Sequence, residues 1–243
     1  MTIAANIERV REQIAEACLR SNRPVEAVTL VAISKTHSPT VILEAVNAGL
    51  QHFGENRVEE SQQKIPAVQE MVKVPLTWHM VGHVQSRKAK LVVPLFGVVH
   101  SVDSVKLAQK LASALPVGKA LQVLVEINVS GEASKQGLQA AAWRTDRALF
   151  DRIALTIETI AGCQGLNLCG LMTMAPLVED AEQTRLVFAS LRGLRDALSE
   201  RLGLHLPHLS MGMTDDYTVA IEEGATMVRI GRAIFGERVM KSY

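Results

Sequence analysis

The chain has 243 residues, of which 48% are hydrophobic and 21% charged, with a formal net charge of +1. This composition is that of a folded globular protein and excludes a disordered chain. The near-zero charge and the 4% of aromatic residues argue against nucleic-acid binding. No apolar run is long enough to span a bilayer, and Cys18, Cys163 and Cys169 form no C-x-x-C pair. We therefore expect a cytoplasmic protein without a disulfide framework, a membrane segment or a metal site.

The hydrophobic pattern predicts helices and strands that alternate along the chain. Residues 3–20 place apolar side chains on one face at helical spacing, and a first buried strand follows at 28–33. Ser38-Pro39 caps a helix that ends at Gly49. Seven further strands are predicted at 52–54, 77–82, 97–102, 121–129, 166–173, 208–211 and 227–230. The remaining helices are predicted from about 58, from 86, and at 104–115, about 140–160, 180–201 and 215–223.

Eight strands that alternate with helices predict a parallel sheet. About eight such units in a chain of this length fit a single (β/α)8 barrel, which we assign to residues 1–243. The alternative is an open doubly wound sheet, which usually has a glycine-rich turn after its first strand; residues 34–37 contain no glycine. No full helix fits after Gly231, so we expect the extra N-terminal helix to cover the space beside the last strand.

The alternation of residue types also predicts which side chains face the barrel interior. In the strand at 121–129, the row of Leu124, Glu126 and Asn128 is expected inside, because the opposite row is β-branched and suits contact with helices. A buried Glu126 requires a partner. It either seals the barrel through an internal hydrogen-bond network or takes part in function.

Lys35 lies at the carboxyl end of the first strand, on the face that it shares with Val31 and Ile33. Barrel enzymes place their chemistry at this end of the strands. Desolvation there is expected to lower the pKa of the amine, as in lysines that form Schiff bases with carbonyl compounds. The alternative is a lysine that only pairs with Glu55 or Glu126.

The last two strands add groups that suit a phosphate. Arg229 is expected to point into the mouth of the barrel, and Gly231 opens the final turn, where the backbone can approach a ligand. Ser210 adds a hydroxyl at the end of the seventh strand, and late barrel loops often bind phosphate through backbone N–H groups. Together with Lys35, these groups fit a phosphorylated aldehyde, of which pyridoxal phosphate is the common one.

Six segments, spread from the first strand to the last, carry a resemblance to a known family. They are residues 30–36 (LVAISKT), 53–60 (FGENRVEE), 78–86 (WHMVGHVQS), 170–174 (GLMTM), 209–216 (LSMGMTDD) and 228–236 (VRIGRAIFG). In these segments the chain resembles the pyridoxal phosphate homeostasis protein family, single-domain relatives of the alanine racemase barrel. The resemblance implies a barrel that binds pyridoxal 5'-phosphate as its cofactor.

The resemblance also implies roles for particular residues. Lys35 would carry the cofactor as a Schiff base, and Ser210 and the backbone of Gly231 and Arg232 would hold its phosphate. Arg229 would face the pyridine nitrogen and leave it unprotonated, because arginine does not give up its own proton.

Four residues are assigned less directly. The resemblance implies that Asn56 and His83 line the cofactor ring; the alternatives are a turn-forming asparagine and a histidine bonded to its own loop. His37 stands where many relatives carry a second lysine. Lys135 matches another lysine of the family, or is a solvated loop charge.

Two classes of function compete. The resemblance implies a protein that buffers or delivers pyridoxal phosphate without strong activity of its own, with apo enzymes that use this cofactor as candidate partners. The alternative is an amino-acid racemase, which needs a base on each face of its substrate. Tyr217 and Tyr243 are the only tyrosines of this sequence, and neither is an obvious base. We expect no second domain that would supply one. Nucleic-acid binding is a distant third, since the basic run at 87–90 suits a solvated helix face. We expect a monomer or a weak dimer.

Overall fold

The computed structural model describes residues 2–236, which form a closed ring of eight parallel strands surrounded by helices. The strands are β1 (Thr29–Ile33), β2 (His52–Glu55), β3 (Thr77–Met80), β4 (Val98–Val102), β5 (Leu121–Asn128), β6 (Leu138–Gln139), β7 (Leu166–Met172), β8 (His208–Ser210) and β9 (Met227–Ile230). The ring closes through the β4–β5 and β1–β9 pairings, and β6 lies outside it against β5. The predicted (β/α)8 barrel is confirmed, and the open doubly wound alternative is wrong.

The helices occupy the connections between the strands. They are α1 (Ile3–Arg20), α2 (Pro39–Asn47), α3 (Val58–Met71), α4 (Ala89–Val92), α5 (Val105–Ala114), α6 (Arg147–Ala161), α7 (Arg185–Leu202), α8 (Tyr217–Glu222) and α9 (Arg232–Phe235). Of the helices between residues 2 and 236, none combines the length and the apolarity that crossing a bilayer requires.

Most predicted strands agree with the structure to within two residues, but one predicted helix begins seven residues late. Residues 141–145 form turns, and α6 starts at Arg147. The cause is local, because the side chain of Asp146 accepts a hydrogen bond of 2.9 Å from the backbone of Leu149 and so caps the helix there. The helix predicted from 180 begins as the 3-10 turn Ala181–Thr184 and continues as α7.

The N-terminal helix α1 packs against α8 and α9, beside the last strand. The amide of Asn6 donates to the backbone oxygen of Ile234 at 2.9 Å, and Arg20 pairs with Glu222 at 2.7 Å. These contacts join the first helix to α9 and to α8. The expectation that α1 covers this space is therefore confirmed.

The two faces of the barrel strands are used as the alternation predicts. Val123, Val125 and Ile127 belong to the core between the strands and the helices. Leu124 lies on the opposite face and contacts Cys169 inside the barrel. Side chains from alternating positions therefore fill the interior, and the polar groups among them need internal partners.

Candidate functional site

A cavity of about 450 Å³ opens at the carboxyl ends of β1 and β9. Its lining consists of Ile33, Lys35, His37, Leu177, Met213, Thr214, Asp215, Arg229, Gly231, Arg232 and Gly236. Parallel barrels collect their functional groups at this end, where the loops that follow the strands converge. The structure thus brings Lys35, Arg229, Gly231 and Arg232, four of the predicted site residues, to one cavity.

A tight turn after β1 holds Lys35. The backbone N–H of His37 donates to the oxygen of Ser34 at 3.1 Å, and Thr36 adopts a left-handed conformation with φ of 68°. The N–H of Thr36 donates to a carboxylate oxygen of Glu60 at 2.7 Å, which anchors the turn to α3. The backbone on both sides of Lys35 is therefore held in place.

A buried ion pair supports this turn from below. The Nζ atom of Lys64 donates to Glu55 and to the backbone oxygen of Ser34, both at 3.0 Å. The hydroxyl of Ser34 donates to the same carboxylate at 2.6 Å. Burial raises the pKa of Glu55, although Lys64 and Ser34 oppose the shift. Glu55 is therefore held by Lys64 and Ser34, directly beneath the turn that carries Lys35.

Arg229 enters the barrel interior from β9, and only 5% of it is exposed. Its Nη1 donates to the hydroxyl of Ser210 at 2.6 Å, and its Nη2 donates to the backbone oxygen of Thr173 at 2.8 Å. Burial lowers the pKa of Arg229 to about 10, and the nearby Asp216 and Glu126 oppose the shift. The guanidinium is therefore charged at neutral pH and held at two points.

The structure places Ser210 differently from its predicted role as a phosphate ligand. Ser210 is fully buried, and its hydroxyl contacts Arg229 and the Nδ1 atom of His100, 2.7 Å away. The hydroxyl in the described lining of the cavity belongs to Thr214, four residues later in the loop after β8. Gly212, with φ of 93°, turns the chain between the two positions.

Gly231 and Arg232 form the turn between β9 and α9. A Cβ atom on Gly231 would lie 3.4 Å from the backbone oxygen of Ile33, so this turn lies close to the end of β1. The guanidinium of Arg232 is half-exposed and pairs with Asp215 from the loop after β8. Two late loops of the barrel therefore meet at the rim of the cavity that Lys35 lines.

Asn56 and His83 lie together but line a different cavity. Both belong to a small space of about 70 Å³ beside β3. Gly82 packs directly on the backbone of Asn56, where a Cβ atom would come within 2.3 Å of the Asn56 oxygen. The Nδ1 atom of His83 lies 3.1 Å from a carboxylate oxygen of Asp103. Neither residue is in the lining that contains Lys35, so their assignment to the cofactor ring stays a prediction that this placement does not favour.

The other residues singled out by sequence have defined surroundings. His37 lines the main cavity with its ring 4.7 Å from that of Phe235. Lys135 is partly exposed and donates to the backbone oxygen of Ala175 at 3.1 Å, so it joins two loops. The hydroxyl of Tyr217 donates to Gln13 on α1. Tyr243 lies outside the described residues.

Glu126 lies on β5, two residues from the interior residue Leu124, and only 3% of it is exposed. Burial raises the pKa of Glu126 to about 7; Arg229 lowers it and Asp103 raises it. The interior of the barrel thus contains a carboxyl group that titrates near neutral pH.

His79 provides a pH-dependent stability that can be measured. It is 1% exposed, and burial, with a smaller contribution from His52, lowers its pKa to about 3. The unfolded chain, with a histidine pKa near 6.5, binds the proton more readily below that pH. The stability that neutral His79 contributes is therefore present above pH 6.5 and is lost as the pH falls toward 3.

Because of His79, we expect the free energy of unfolding to fall by about 2 kcal/mol from pH 6.5 to pH 5, at ~1.4 kcal/mol per pH unit. Urea unfolding of the wild type and of His79→Gln at both pH values measures it. The loss should be smaller in the variant, and equal losses in both proteins would contradict the assignment. Buried carboxyl groups with raised pKa values, such as Glu126, act in the opposite direction in both proteins and cancel in the comparison.

Comparison with known proteins identifies the class to which this barrel belongs. The family described as "Alanine racemase, N-terminal domain" matches residues 2–239. An alanine racemase from Corynebacterium glutamicum shares the fold with a TM-score of 0.66 at 16% identity, over 99% of this chain and 62% of that chain.

Relatives of higher identity narrow the class. The pyridoxal phosphate homeostasis protein of Aquifex aeolicus is 39% identical over 98% of this chain and 99% of its own length. That of Pseudomonas aeruginosa is 42% identical over 98% and 96%. The structure of PipY from Synechococcus elongatus with pyridoxal phosphate bound is 35% identical, with a TM-score of 0.75 over 93% of this chain and 100% of that chain. The chain belongs to the pyridoxal phosphate homeostasis protein family.

Proposed function

We propose that this protein binds pyridoxal 5'-phosphate in the cavity between β1 and β9, covalently through Lys35, and acts in intracellular homeostasis of that cofactor. The observation that carries the proposal is one cavity of about 450 Å³ that contains an amine, a buried guanidinium and two converging late loops. The names of the relatives support it, as does the PipY structure with pyridoxal phosphate bound.

The residues that line the cavity fit this cofactor by their chemistry. Lys35 supplies the amine, and the volume lies within the range of small-molecule sites. We assign the phosphate to the Gly231–Arg232 turn together with Thr214, in place of Ser210. Arg229 keeps its proton at neutral pH, so the ring nitrogen that faces it would act as a hydrogen-bond acceptor.

When bound, pyridoxal phosphate supplies an aldehyde that bonds reversibly to an amine. The chain's own residues then act by holding and orienting. The Ser34–Thr36 turn and the Glu55–Lys64 pair keep Lys35 at the cavity, and Ser210 and Thr173 keep Arg229 in place. Because the Arg229 guanidinium gives no proton to the pyridine ring, the ring would be a weaker acceptor of electrons. This property suits retention of the cofactor better than stabilisation of a carbanion.

The alternative function is an amino-acid racemase, and one observation favours it. His37 lines the same cavity as Lys35, and histidine is the residue type that most often acts in general acid–base catalysis. Tyr217 does not serve this purpose, because it is buried against α1 and absent from the described lining.

Purification without added cofactor, followed by a visible spectrum and a racemase assay on several amino acids, separates the two functions. We expect about one pyridoxal phosphate per chain after titration and no racemisation approaching ordinary enzymatic turnover, on the order of 1 s⁻¹. Turnover at that rate that is lost in His37→Ala would establish the racemase instead. A protein that binds no pyridoxal phosphate would contradict both.

The proposal extends to partners and location. We propose apo enzymes that use pyridoxal phosphate as recipients, and the cytoplasm as the compartment. All three cysteines are free thiols, in keeping with a reducing environment. Mixing the loaded protein with an apo enzyme should restore that enzyme's activity, and loaded protein that restores none would count against delivery.

A further inference from the structure

A line of hydrogen bonds crosses the interior of the barrel. We call His52, His79, His100, Ser210 and Arg229 the histidine column. The Nδ1 atom of His52 lies 3.0 Å from Nε2 of His79, and Nδ1 of His79 lies 2.8 Å from Nε2 of His100. The Nδ1 atom of His100 lies 2.7 Å from the hydroxyl of Ser210, which accepts from Arg229 at 2.6 Å. These five side chains come from β2, β3, β4, β8 and β9.

The column joins the two ends of the barrel. His52 and His79 line a cavity of about 540 Å³ that also contains Thr29 and Thr77, the first residues of their strands, so it lies at the amino-terminal opening. Arg229 lines the cavity of about 450 Å³ at the carboxyl-terminal opening. Between these ends, His100 and Ser210 are fully buried.

The charge of Arg229 determines the direction of every hydrogen bond in the column. A guanidinium only donates, so the Ser210 oxygen accepts from Arg229. Among the described residues, Nδ1 of His100 is the acceptor within reach of the buried Ser210 proton, so the hydroxyl donates to it. Neutral His100 then carries its proton on Nε2 and donates to His79, which in the same way donates to His52. Burial holds the pKa values of His79 and His100 far below neutral, so both rings carry one proton.

The arrangement does not resemble a metal site. His79 and His100 use both ring nitrogens within the column, and His52 uses its Nδ1. In the described part of the chain no group of three or more His, Cys, Asp or Glu side chains is placed to hold an ion. The column instead ends at a guanidinium with a defined orientation.

We infer that His100 and His79 are positioning residues that act through Ser210 to orient Arg229 toward the cofactor ring. The inference rests on the proposed function for what Arg229 faces. Ser210 cannot turn its hydroxyl toward a ligand while His100 accepts its proton. This accounts for a serine that lies close to the site without lining it, and it assigns a role to two buried histidines.

The first test uses the unloaded protein and is independent of the cofactor. Proton–nitrogen correlation spectra of the histidine side chains at pH 7 should show His79 and His100 as neutral rings protonated on Nε2. Protonation on Nδ1 of His100, or a charged ring at either position, would overturn the inference.

The second test measures binding of pyridoxal phosphate and the visible spectrum of the bound form. His100→Leu cuts the column, so Arg229 is no longer held in the orientation that faces the cofactor ring. We expect about a tenfold weaker affinity, equivalent to the loss of one hydrogen bond from the charged guanidinium, and a shifted absorption maximum. His100→Gln keeps a group that accepts from Ser210 and should recover most of the affinity. His208→Leu is the matched control, since His208 contacts Thr226 and lies outside the column.

Ser210→Ala interrupts the column with a smaller change in volume and should reproduce the tenfold loss if His100→Leu does not fold. Wild-type affinity and an unchanged spectrum in either folded variant would overturn the inference. A wild type that binds no pyridoxal phosphate would contradict the proposed function alone, and the side-chain spectra would still decide whether the column has the inferred direction.

Discussion

Replacing Lys35 by alanine is expected to abolish covalent attachment of pyridoxal phosphate and to weaken its binding on the order of a hundredfold, about 3 kcal/mol. The amine is the group of the cavity that can bond to the aldehyde, whereas Arg229 and the late loops provide only non-covalent contacts. Loss of the adduct absorbance, together with fluorescence titration, measures the two effects.

Lys90→Ala is the matched control for this variant. Lys90 is exposed and lines an outer groove of about 590 Å³ with Arg87, Lys106 and Lys110, remote from the main cavity lining. The control should keep the absorbance and the affinity of the wild type. An adduct that persists in Lys35→Ala would show that another amine holds the cofactor.

Replacing Gly231 by valine is expected to weaken pyridoxal phosphate on the order of a hundredfold and unphosphorylated pyridoxal by less than about fivefold. The turn that it forms lies close to the end of β1, and a branched side chain would obstruct the backbone N–H groups that we assign to the phosphate. The φ of Gly231 is −114°, outside the left-handed region that favours glycine.

Titration of both ligands against the variant measures the ratio of the two losses. Gly97→Ala is the control, because Gly97 precedes β4 at the amino-terminal end of the barrel. The nearest atom to the added Cβ atom there belongs to Thr77, at 3.8 Å. Equal losses for pyridoxal and pyridoxal phosphate in Gly231→Val would mean that the phosphate lies elsewhere.

The fold could be predicted from the sequence because its signals are local. Alternating strands and helices, with caps such as Ser38, determine both the parallel ring and its approximate boundaries. The alternation of side chains along each strand predicted that Lys35 and Arg229 lie at the carboxyl end of the barrel, because strand geometry fixes the direction of a side chain. The start of α6 at Arg147 also has a local cause, the capping residue Asp146, which the sequence prediction did not use.

The loops of the site could not be predicted in this way. Ser210 ends a strand and points inward, so its partners are Arg229 and His100, whereas Thr214 reaches the cavity lining only because the loop turns at Gly212. The family resemblance implies that Asn56 lines the cofactor ring, whereas in the structure Asn56 packs against Gly82 and lines a different cavity. Positions along a strand follow from sequence periodicity, and positions within a loop follow from packing.

The histidine column shows the same limit. His52, His79 and His100 lie on three consecutive strands, and nothing in their spacing indicates that their rings touch. Only closure of the barrel, with the registered pairing of His52 with Thr77 and of His79 with Val98, stacks these positions. The donor-to-acceptor direction of these hydrogen bonds then depends on Arg229, which contacts the column only in the folded barrel.

Reduction of the loaded protein with borohydride, followed by peptide mass analysis, tests the central claim most directly. Reduction makes the bond between the cofactor and its amine permanent, so the modified lysine can be identified. The account predicts one modified peptide per chain, with the added mass on Lys35. A modification on any other lysine, or none in a protein saturated with pyridoxal phosphate, would contradict it.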